Sequence, residues 1–157
     1  MADREKRFVA DVMLGRLAKW LRLIGYDTLY YKKIEDSQLI RVAMREGRIL
    51  LTRDAQLVKR GGFQSLFIES GELEIQLAQV IREARLKPRL KASVLCPLCN
   101  GELQTVKKEQ VRGLVPTYVY AAQRDFSRCP RCGKIFWKGS HWQKIERRLR
   151  DMGYPAS

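Results

Sequence analysis

Four cysteines are the clearest chemical signal in this 157-residue chain. They occur as two Cys-x-x-Cys pairs, in LCPLCNGEL at 95–103 and in RCPRCGKIFW at 128–137. Each pair places two sulfurs on one tight turn, and two such turns brought together offer the tetrahedron of soft ligands that structural zinc takes. The pairs therefore predict one bound zinc ion. Its predicted ligands are Cys96, Cys99, Cys129 and Cys132.

Redox-active pairs, local disulfides and an iron–sulfur cluster are the alternatives for these cysteines. A redox-active pair is usually single and opens a helix, whereas these pairs are followed by Asn100 and Gly133, which suit the left-handed backbone after a metal-binding turn. Four protein ligands would leave zinc no open position, so we predict a structural role. The only histidine, His141, is then not needed as a ligand. Contact with RNA phosphate, catalytic assistance and packing are its other roles.

Three aspartates could hold a second kind of metal. Asp11 ends the apolar run RFVAD, Asp54 ends LLTRD, and Asp36 lies at the start of a helix-like segment. Carboxylates suit Mg²⁺ or Mn²⁺, and such ions activate water and stabilise the oxygens of an in-line phosphodiester cleavage. Arg53 would pair with an acid or bind the scissile phosphate, and Glu69 is a weaker fourth acid. The alternative to a metal site is that Asp36 and Asp54 only cap helices.

The segments that would position these acids alternate over the first 86 residues. Strands are predicted at 7–11, 28–33, 48–52 and 63–69, and helices at about 14–24, 36–46, 55–60 and 72–86. Four strands alternating with four helices imply right-handed crossovers and a parallel sheet covered on both faces. Ligands of such sheets bind beyond the carboxyl ends of the strands, which is where the aspartates fall.

The second half of the chain has a different pattern. KPRLKAS is basic and contains proline, and HWQKIERRLRDM predicts a terminal helix. Between the cysteine pairs, short strands are predicted at about 103–106 and 118–121. The predicted organisation is an α/β domain at 1–86, a linker at 87–93, and a zinc ribbon with a C-terminal helix at 94–157.

The chain is strongly basic, with 31 Lys+Arg against 17 Asp+Glu and a net charge of +14. Residues 1–80 carry 14 basic and 11 acidic side chains, and residues 81–157 carry 17 and 6. This excess favours a polyanion, because neutralising phosphates releases counterions; a solvated surface or an anionic membrane are the alternatives. The candidate nucleic-acid contacts are Arg16, Lys19, Arg22, Lys138 and His141.

Several classes of protein are disfavoured by composition. The N-terminus has no apolar stretch of signal-peptide length, and no run approaches the roughly 20 apolar residues of a membrane-spanning helix. We therefore expect a cytoplasmic protein with no membrane partner. In a reducing compartment, four cysteines are more often metal ligands or catalytic groups than disulfides.

Three longer motifs follow one another in the chain. They are DVMLGRLAKWLRLIGYDT from Asp11, EGRILLTRD from Glu46 and CPRCGKIFWKGSHWQKI from Cys129. Together they resemble the PIN-like ribonuclease family with a fused zinc ribbon, the domain found at the C-terminus of mutator-type exoribonucleases and as a stand-alone prokaryotic protein. The resemblance spans about Phe8 to Leu149.

The resemblance implies a three-layer PIN-like α/β domain that cleaves RNA with a divalent metal, followed by a four-cysteine zinc ribbon. By position, Asp11 matches the acid after the first strand and Asp36 the acid that opens the second helix. Asp54 matches the acid of the TRD motif, with Arg53 before it. A confident match to the acid after the fourth strand of well-studied PIN nucleases is missing, and Glu69 is the candidate for it.

The resulting prediction is a Mg²⁺- or Mn²⁺-dependent ribonuclease whose structural zinc braces an RNA-binding ribbon. The sequence does not separate RNA from DNA as the substrate. The alternative is a non-catalytic RNA- or ribosome-binding module in which aromatic side chains stack on bases. The candidates for such stacking are Tyr118, Tyr120, Phe126, Phe136, Trp137 and Trp142.

Overall fold

A parallel sheet of four short strands organises the first half of the molecule in the computed structural model, which describes residues 6–88 and 95–154. The strands are β1 (Phe8–Ala10), β2 (Thr28–Tyr30), β3 (Ile49–Thr52) and β4 (Ser65–Phe67). Their order is β2-β1-β3-β4, and every neighbouring pair is parallel. The predicted α/β fold is confirmed, although the strands are shorter than predicted.

Helices cover both faces of this sheet. They are α1 (Gly15–Leu23), α2 (Asp36–Glu46), α3 (Ala55–Lys59) and α4 (Leu73–Glu83). Successive strand residues point to opposite faces, so Phe8 packs with α1 and α4 while its neighbour Val9 packs with α2 and α3. Both faces are therefore apolar, which explains the nearly continuous apolar runs in the sequence.

The second half forms a small antiparallel sheet in the order β5-β6-β7. Its elements are β5 (Gln104–Val106), α5 (Thr117–Ala122), β6 (Phe126–Arg128), β7 (Ile135–Trp137) and α6 (Ser140–Asp151). The strand predicted at 118–121 is wrong, because these residues lie in α5. Their β-branched and aromatic types favour a strand, but Val119 is buried with Val111 and Phe126 in a local core that the helix supplies from one face.

The terminal helix α6 joins the two halves. Trp142, Ile145 and Leu149 of α6 belong to the same buried cluster as Leu17 of α1 and Leu77 of α4. The predicted division into two domains stays a prediction, and residues 89–93 of the predicted linker lie outside the described residues. Within the described ranges, none of the helices combines the length and the apolar character that crossing a bilayer requires.

Candidate functional site

The four cysteine sulfurs converge on one point. They all lie within 4.8 Å of one another, and they are the only such group of three or more Cys, His, Asp or Glu side chains in the described part of the chain. The Sγ atoms of Cys96 and Cys132 are 3.7 Å apart, and those of Cys99 and Cys129 are 3.3 Å apart. A zinc tetrahedron with Zn–S bonds of about 2.3 Å needs sulfurs about 3.8 Å apart. The donor set therefore fits zinc.

The two cysteine turns have the same backbone construction. In the first turn the Asn100 N–H donates to the Cys96 carbonyl at 2.8 Å, and in the second the Gly133 N–H donates to the Cys129 carbonyl at 2.7 Å. Asn100 and Gly133 have φ values of 69° and 76°, which is the left-handed backbone predicted for them. Each turn thereby brings both of its sulfurs to the same side.

Cys96 of the first turn and Cys129 of the second differ in how easily they ionise. Burial raises the pKa of the Cys96 thiol to about 12 against the opposing effect of nearby backbone N–H groups. Burial would also raise the pKa of Cys129, but hydrogen bonds from the backbone N–H groups of Cys132 and Arg131 and from neighbouring thiols lower it to about 7. Zinc requires thiolates, so its binding here would displace protons and is favoured as the pH rises.

Arg22, predicted from sequence as a nucleic-acid contact, is instead part of the protein interior. It is buried, and it donates from Nε to the Thr28 carbonyl at 2.8 Å and from a terminal nitrogen to the Pro97 carbonyl at 2.9 Å. Burial lowers the pKa of Arg22, and the negative charge of Cys96 and Cys99 opposes that effect. The structure thus corrects the prediction: Arg22 ties α1 and β2 to the first cysteine turn.

A second set of contacts ties the same turn to the amino-terminal edge of the parallel sheet. The Asn100 side chain donates to an Asp27 carboxylate oxygen at 2.6 Å and accepts from the Thr28 N–H at 3.0 Å. The same Asp27 oxygen accepts from Arg48 at 2.8 Å. Burial alone would raise the pKa of Asp27, but the bonds from Arg48 and Asn100 lower it. The first cysteine turn is therefore braced at the sheet edge opposite the predicted catalytic acids.

The carboxyl edge of the parallel sheet presents one predicted acid beyond each strand. Following the strand order β2-β1-β3-β4, these acids are Asp36, Asp11, Asp54 and Glu69. Only Asp11 is buried, with 8% of its side chain exposed. Asp11 and Asp54 adjoin the point where the chain leaves neighbouring strands in opposite directions, and in open α/β sheets this is where ligands bind.

Thr52, which the sequence analysis did not single out, links two of these aspartates. Its buried hydroxyl donates to Oδ2 of Asp11 at 2.7 Å and accepts from the Asp54 N–H at 3.0 Å. The available signal was a hydroxyl on the last residue of a buried strand, two residues before an acid. Thr52 thereby connects the residues that follow β1 and β3 through two hydrogen bonds.

The aspartates also have local roles in the backbone. Asp11 accepts from the Val12 N–H at 2.6 Å, and Asp54 caps α3 by accepting from the Gln56 N–H at 2.9 Å. Asp36 is the first residue of α2 and is exposed, so it is not the cap of that helix. The carboxylates of Asp11, Asp36 and Asp54 do not meet the 4.8 Å criterion that the cysteines satisfy, and their joint metal role stays a prediction.

A close contact with Tyr30 shapes the chain just after Asp11. The Tyr30 hydroxyl donates to the Val12 carbonyl at 2.8 Å, and its ring lies against Gly15. A Cβ atom on Gly15 would be 3.0 Å from that ring, so a larger residue there would require the Tyr30 ring to shift. The acid-bearing loop is thus anchored to the end of β2.

Arg53 lies over the end of β4. Its guanidinium donates to the carbonyls of Ile68 and Glu69 at 3.4 and 3.3 Å, and the residue is exposed. These bonds use backbone acceptors and leave the guanidinium at the same edge as the aspartates. Its predicted contact with phosphate stays a prediction.

Two of the remaining nucleic-acid candidates line a cleft between α1 and the cysteine-bearing half. Arg16 and Lys19 of α1 are exposed and line this cleft, and the Lys138 ammonium lies 5.1 Å from the centre of the Trp142 ring. The His141 side chain lies outside the described part of the structure. Among the aromatic candidates, Phe126 and Trp142 are buried in cores, which leaves four exposed or half-buried candidates. These are Tyr118, Tyr120, Phe136 and Trp137.

Comparison with known families places the cysteine cluster and the strand-end acids in one unit. The family model of the Mut7-C RNAse domain matches residues 6–149, a span that includes all four strand-end acids and all four cysteines. Neither the curated proteins nor the solved structures contain a significant match. The family match covers nearly the whole chain and agrees with the resemblance carried by the three motifs. This chain therefore belongs to the Mut7-C RNAse domain family.

Proposed function

We propose that this protein is a ribonuclease that hydrolyses RNA phosphodiester bonds with a Mg²⁺ or Mn²⁺ ion bound at the carboxyl edge of the parallel sheet. The arrangement of Asp11, Thr52 and Asp54 at the junction of β1 and β3 is the observation that carries this proposal. Membership of an RNAse domain family and the net charge of +14 support RNA as the substrate.

The residues at this edge suit a hard cation. Asp11 and Asp54 would hold the ion, with Asp36 as the third carboxylate, because all three offer oxygen ligands at adjacent strand ends. When bound, such an ion activates water and stabilises the charge on the phosphate oxygens. Thr52 fixes the orientation of the Asp11 carboxylate, so this ligand would lose little conformational freedom on binding.

Two other features would bind the RNA substrate. Arg53 presents a planar set of donors beside the acids and would hold a phosphate in a bidentate grip. The zinc ribbon would bind the RNA backbone at a distance from the cleavage site, since residues 81–157 carry 17 basic against 6 acidic side chains. In this proposal zinc supports binding and the second metal supports the reaction.

Cleavage of a labelled RNA in the presence of Mn²⁺ tests the proposal. Asp11→Asn keeps the size of the side chain but removes its charge, so we expect cleavage to fall at least tenfold, as for loss of an important metal-site group. Asp125→Asn, at an exposed acid between α5 and β6, is the matched control and should cleave normally. Equal cleavage by Asp11→Asn and the unmodified protein would refute the mechanism.

A non-catalytic RNA-binding module is the second candidate. The observation that favours it is the cleft lined by aromatic and basic side chains, which needs no metal to bind RNA. Salt-sensitive RNA binding without cleavage in any divalent metal would select this candidate over the ribonuclease.

A further inference from the structure

A single cleft of about 570 Å³ separates α1 from the zinc-binding half of the molecule. Along one side lie residues of α1, including Arg16, Lys19 and Trp20. The opposite side is built from the first cysteine turn, β7 and α6, through residues such as Leu98 and Phe136. The cleft thus exists only because the two halves pack together.

Aromatic rings are concentrated in this cleft. All three tryptophans of the chain line it, and they are Trp20, Trp137 and Trp142. Phe136 also lines it, and its half-buried ring belongs to none of the buried apolar clusters found among the described residues. A flat ring that contributes to no core and faces a cleft is suited to stacking on a planar ligand.

The cleft is also positively charged. Its lining includes Arg16, Lys19, Lys144 and Arg148, against the single carboxylate of Glu74. Glu74 forms an ion pair with Arg148, so the charges on α1 and Lys144 determine the net potential. Cations beside aromatic rings complement a chain of phosphates and bases.

One end of the cleft lies close to the proposed catalytic edge. Arg16 follows Asp11 by five residues, at the start of α1, and Glu74 lies at the start of α4, which follows β4. The other end reaches Pro97 and Leu98 in the first cysteine turn. A ligand lying along α1 would therefore run from the zinc turn towards Asp11.

We propose that this cleft binds single-stranded RNA, with bases against Phe136, Trp20 and Trp137 and phosphates on Arg16, Lys19 and Lys144, and directs the strand towards Asp11. The inference rests on the proposed function in taking RNA as the ligand. It excludes duplex RNA, because paired bases are stacked on each other and cannot lie against the protein rings.

The tryptophans provide the assay, since all three line the cleft. Zinc-loaded protein is titrated with a 12-nucleotide RNA strand, and separately with the same strand paired to its complement, in buffer without added Mg²⁺ or Mn²⁺. We expect the single strand to quench tryptophan fluorescence and to bind at least about tenfold more tightly than the duplex. Equal or tighter binding of the duplex would overturn the inference.

Two sets of substitutions separate phosphate contact from stacking. Arg16→Glu with Lys19→Glu should weaken binding at least about tenfold and reduce the salt dependence, log K against log salt, by about 1.4 for two lost phosphate contacts. Phe136→Leu should weaken binding at least about fivefold and leave the salt dependence unchanged. The matched control is Arg41→Glu with Arg45→Glu on exposed positions of α2, beyond the other face of the sheet, where we expect a change below about twofold.

Binding and cleavage can fail independently. The cleft is not the RNA-binding site if the Arg16 and Lys19 substitutions leave RNA binding intact. The same conclusion follows if the α2 control weakens binding equally. Cleft-dependent binding without cleavage by Mn²⁺-loaded protein would support this inference and contradict the proposed function. Cleavage without cleft-dependent binding would support the proposed function and contradict this inference.

Discussion

Replacing Thr52 by valine removes the hydroxyl that joins Asp11 to Asp54 while preserving the shape of the side chain. In the native protein this hydroxyl makes two hydrogen bonds inside the sheet edge, at 2.7 and 3.0 Å. The substitution leaves the buried Asp11 carboxylate without one donor and the Asp54 N–H without its acceptor. Both groups lose a partner, and the methyl group that replaces the hydroxyl cannot compensate.

The two bonds differ in strength because only one involves a charge. Loss of a hydrogen bond to an ionised group costs about 1.5–3 kcal/mol, and loss of a neutral bond costs about 0.5–1.5 kcal/mol. We therefore expect Thr52→Val to lower the free energy of unfolding by about 2–4 kcal/mol. For a chain of this size, that corresponds to a fall in melting temperature of roughly 5–15 °C.

Thr28 offers a matched control at the opposite edge of the same sheet. It is as fully buried as Thr52, and its hydroxyl donates one neutral bond to the Tyr26 carbonyl at 3.0 Å. Thr28→Val should therefore cost only about 1 kcal/mol. Both variants would be compared with the unmodified protein by urea unfolding of zinc-loaded samples. A loss for Thr52→Val no greater than that for Thr28→Val would refute the reasoning.

Three further predictions concern the zinc site and its supports. Metal analysis should find about one zinc per chain, and Cys129→Ser should release it; retention of a full equivalent by this variant would contradict the ligand set. Arg22→Lys should lower the free energy of unfolding in urea by about 1–3 kcal/mol, because one ammonium cannot reproduce the two hydrogen bonds from the guanidinium to carbonyls. The control Arg16→Lys, on the exposed face of α1, should change stability by less than about 0.5 kcal/mol. Asp27 has a pKa below its ordinary value of 3.8, so its contribution to folding stability is present above that value and is lost as the pH falls through the lower folded pKa. Asp27→Asn should therefore weaken the dependence of stability on pH in this acid range. An unchanged acid unfolding curve, followed by circular dichroism, would count against the pairing of Asp27 with Arg48.

Much of the parallel half could be predicted because its signals are local. Apolar runs of strand length alternate with helical spacing of apolar residues, and Gly47 ends α2 with φ of 63°, as its position after the periodic segment predicts. Alternation along the chain then implies the parallel sheet and brings strand-end acids to one edge. This rule predicts the positions of Asp11 and Asp54 at that edge.

The zinc cluster was equally accessible to sequence reasoning, for a different reason. Each pair of cysteines is held by a turn of a few residues, so the spacing itself determines that two sulfurs face one way. The residues after the turns, Asn100 and Gly133, adopt the left-handed backbone predicted for them. What the spacing leaves open is where the completed cluster docks.

Elements without a dominant local signal were predicted poorly. The segment 117–122 contains residue types that favour strands, but it is a helix that buries Val119 with Val111 and Phe126. The strands β6 and β7 were not predicted either, since each has only three residues and gains its hydrogen bonds from neighbours in the sheet. Tertiary contacts outweigh propensity in such short segments.

The sequence by itself identified the candidate metal ligands of this protein: four thiols on two turns and carboxylates at the ends of predicted strands. Only the tertiary structure decided which other side chains support or surround those candidate ligands. Thr52 joins two acids, Arg22 and Asn100 brace the zinc turn against the sheet, and Phe136 faces a cleft. The physical reason is that each cysteine pair and each strand-end acid is a local feature of the sequence. Burial and hydrogen-bond partners depend instead on segments that folding brings together from as far as 75 residues apart.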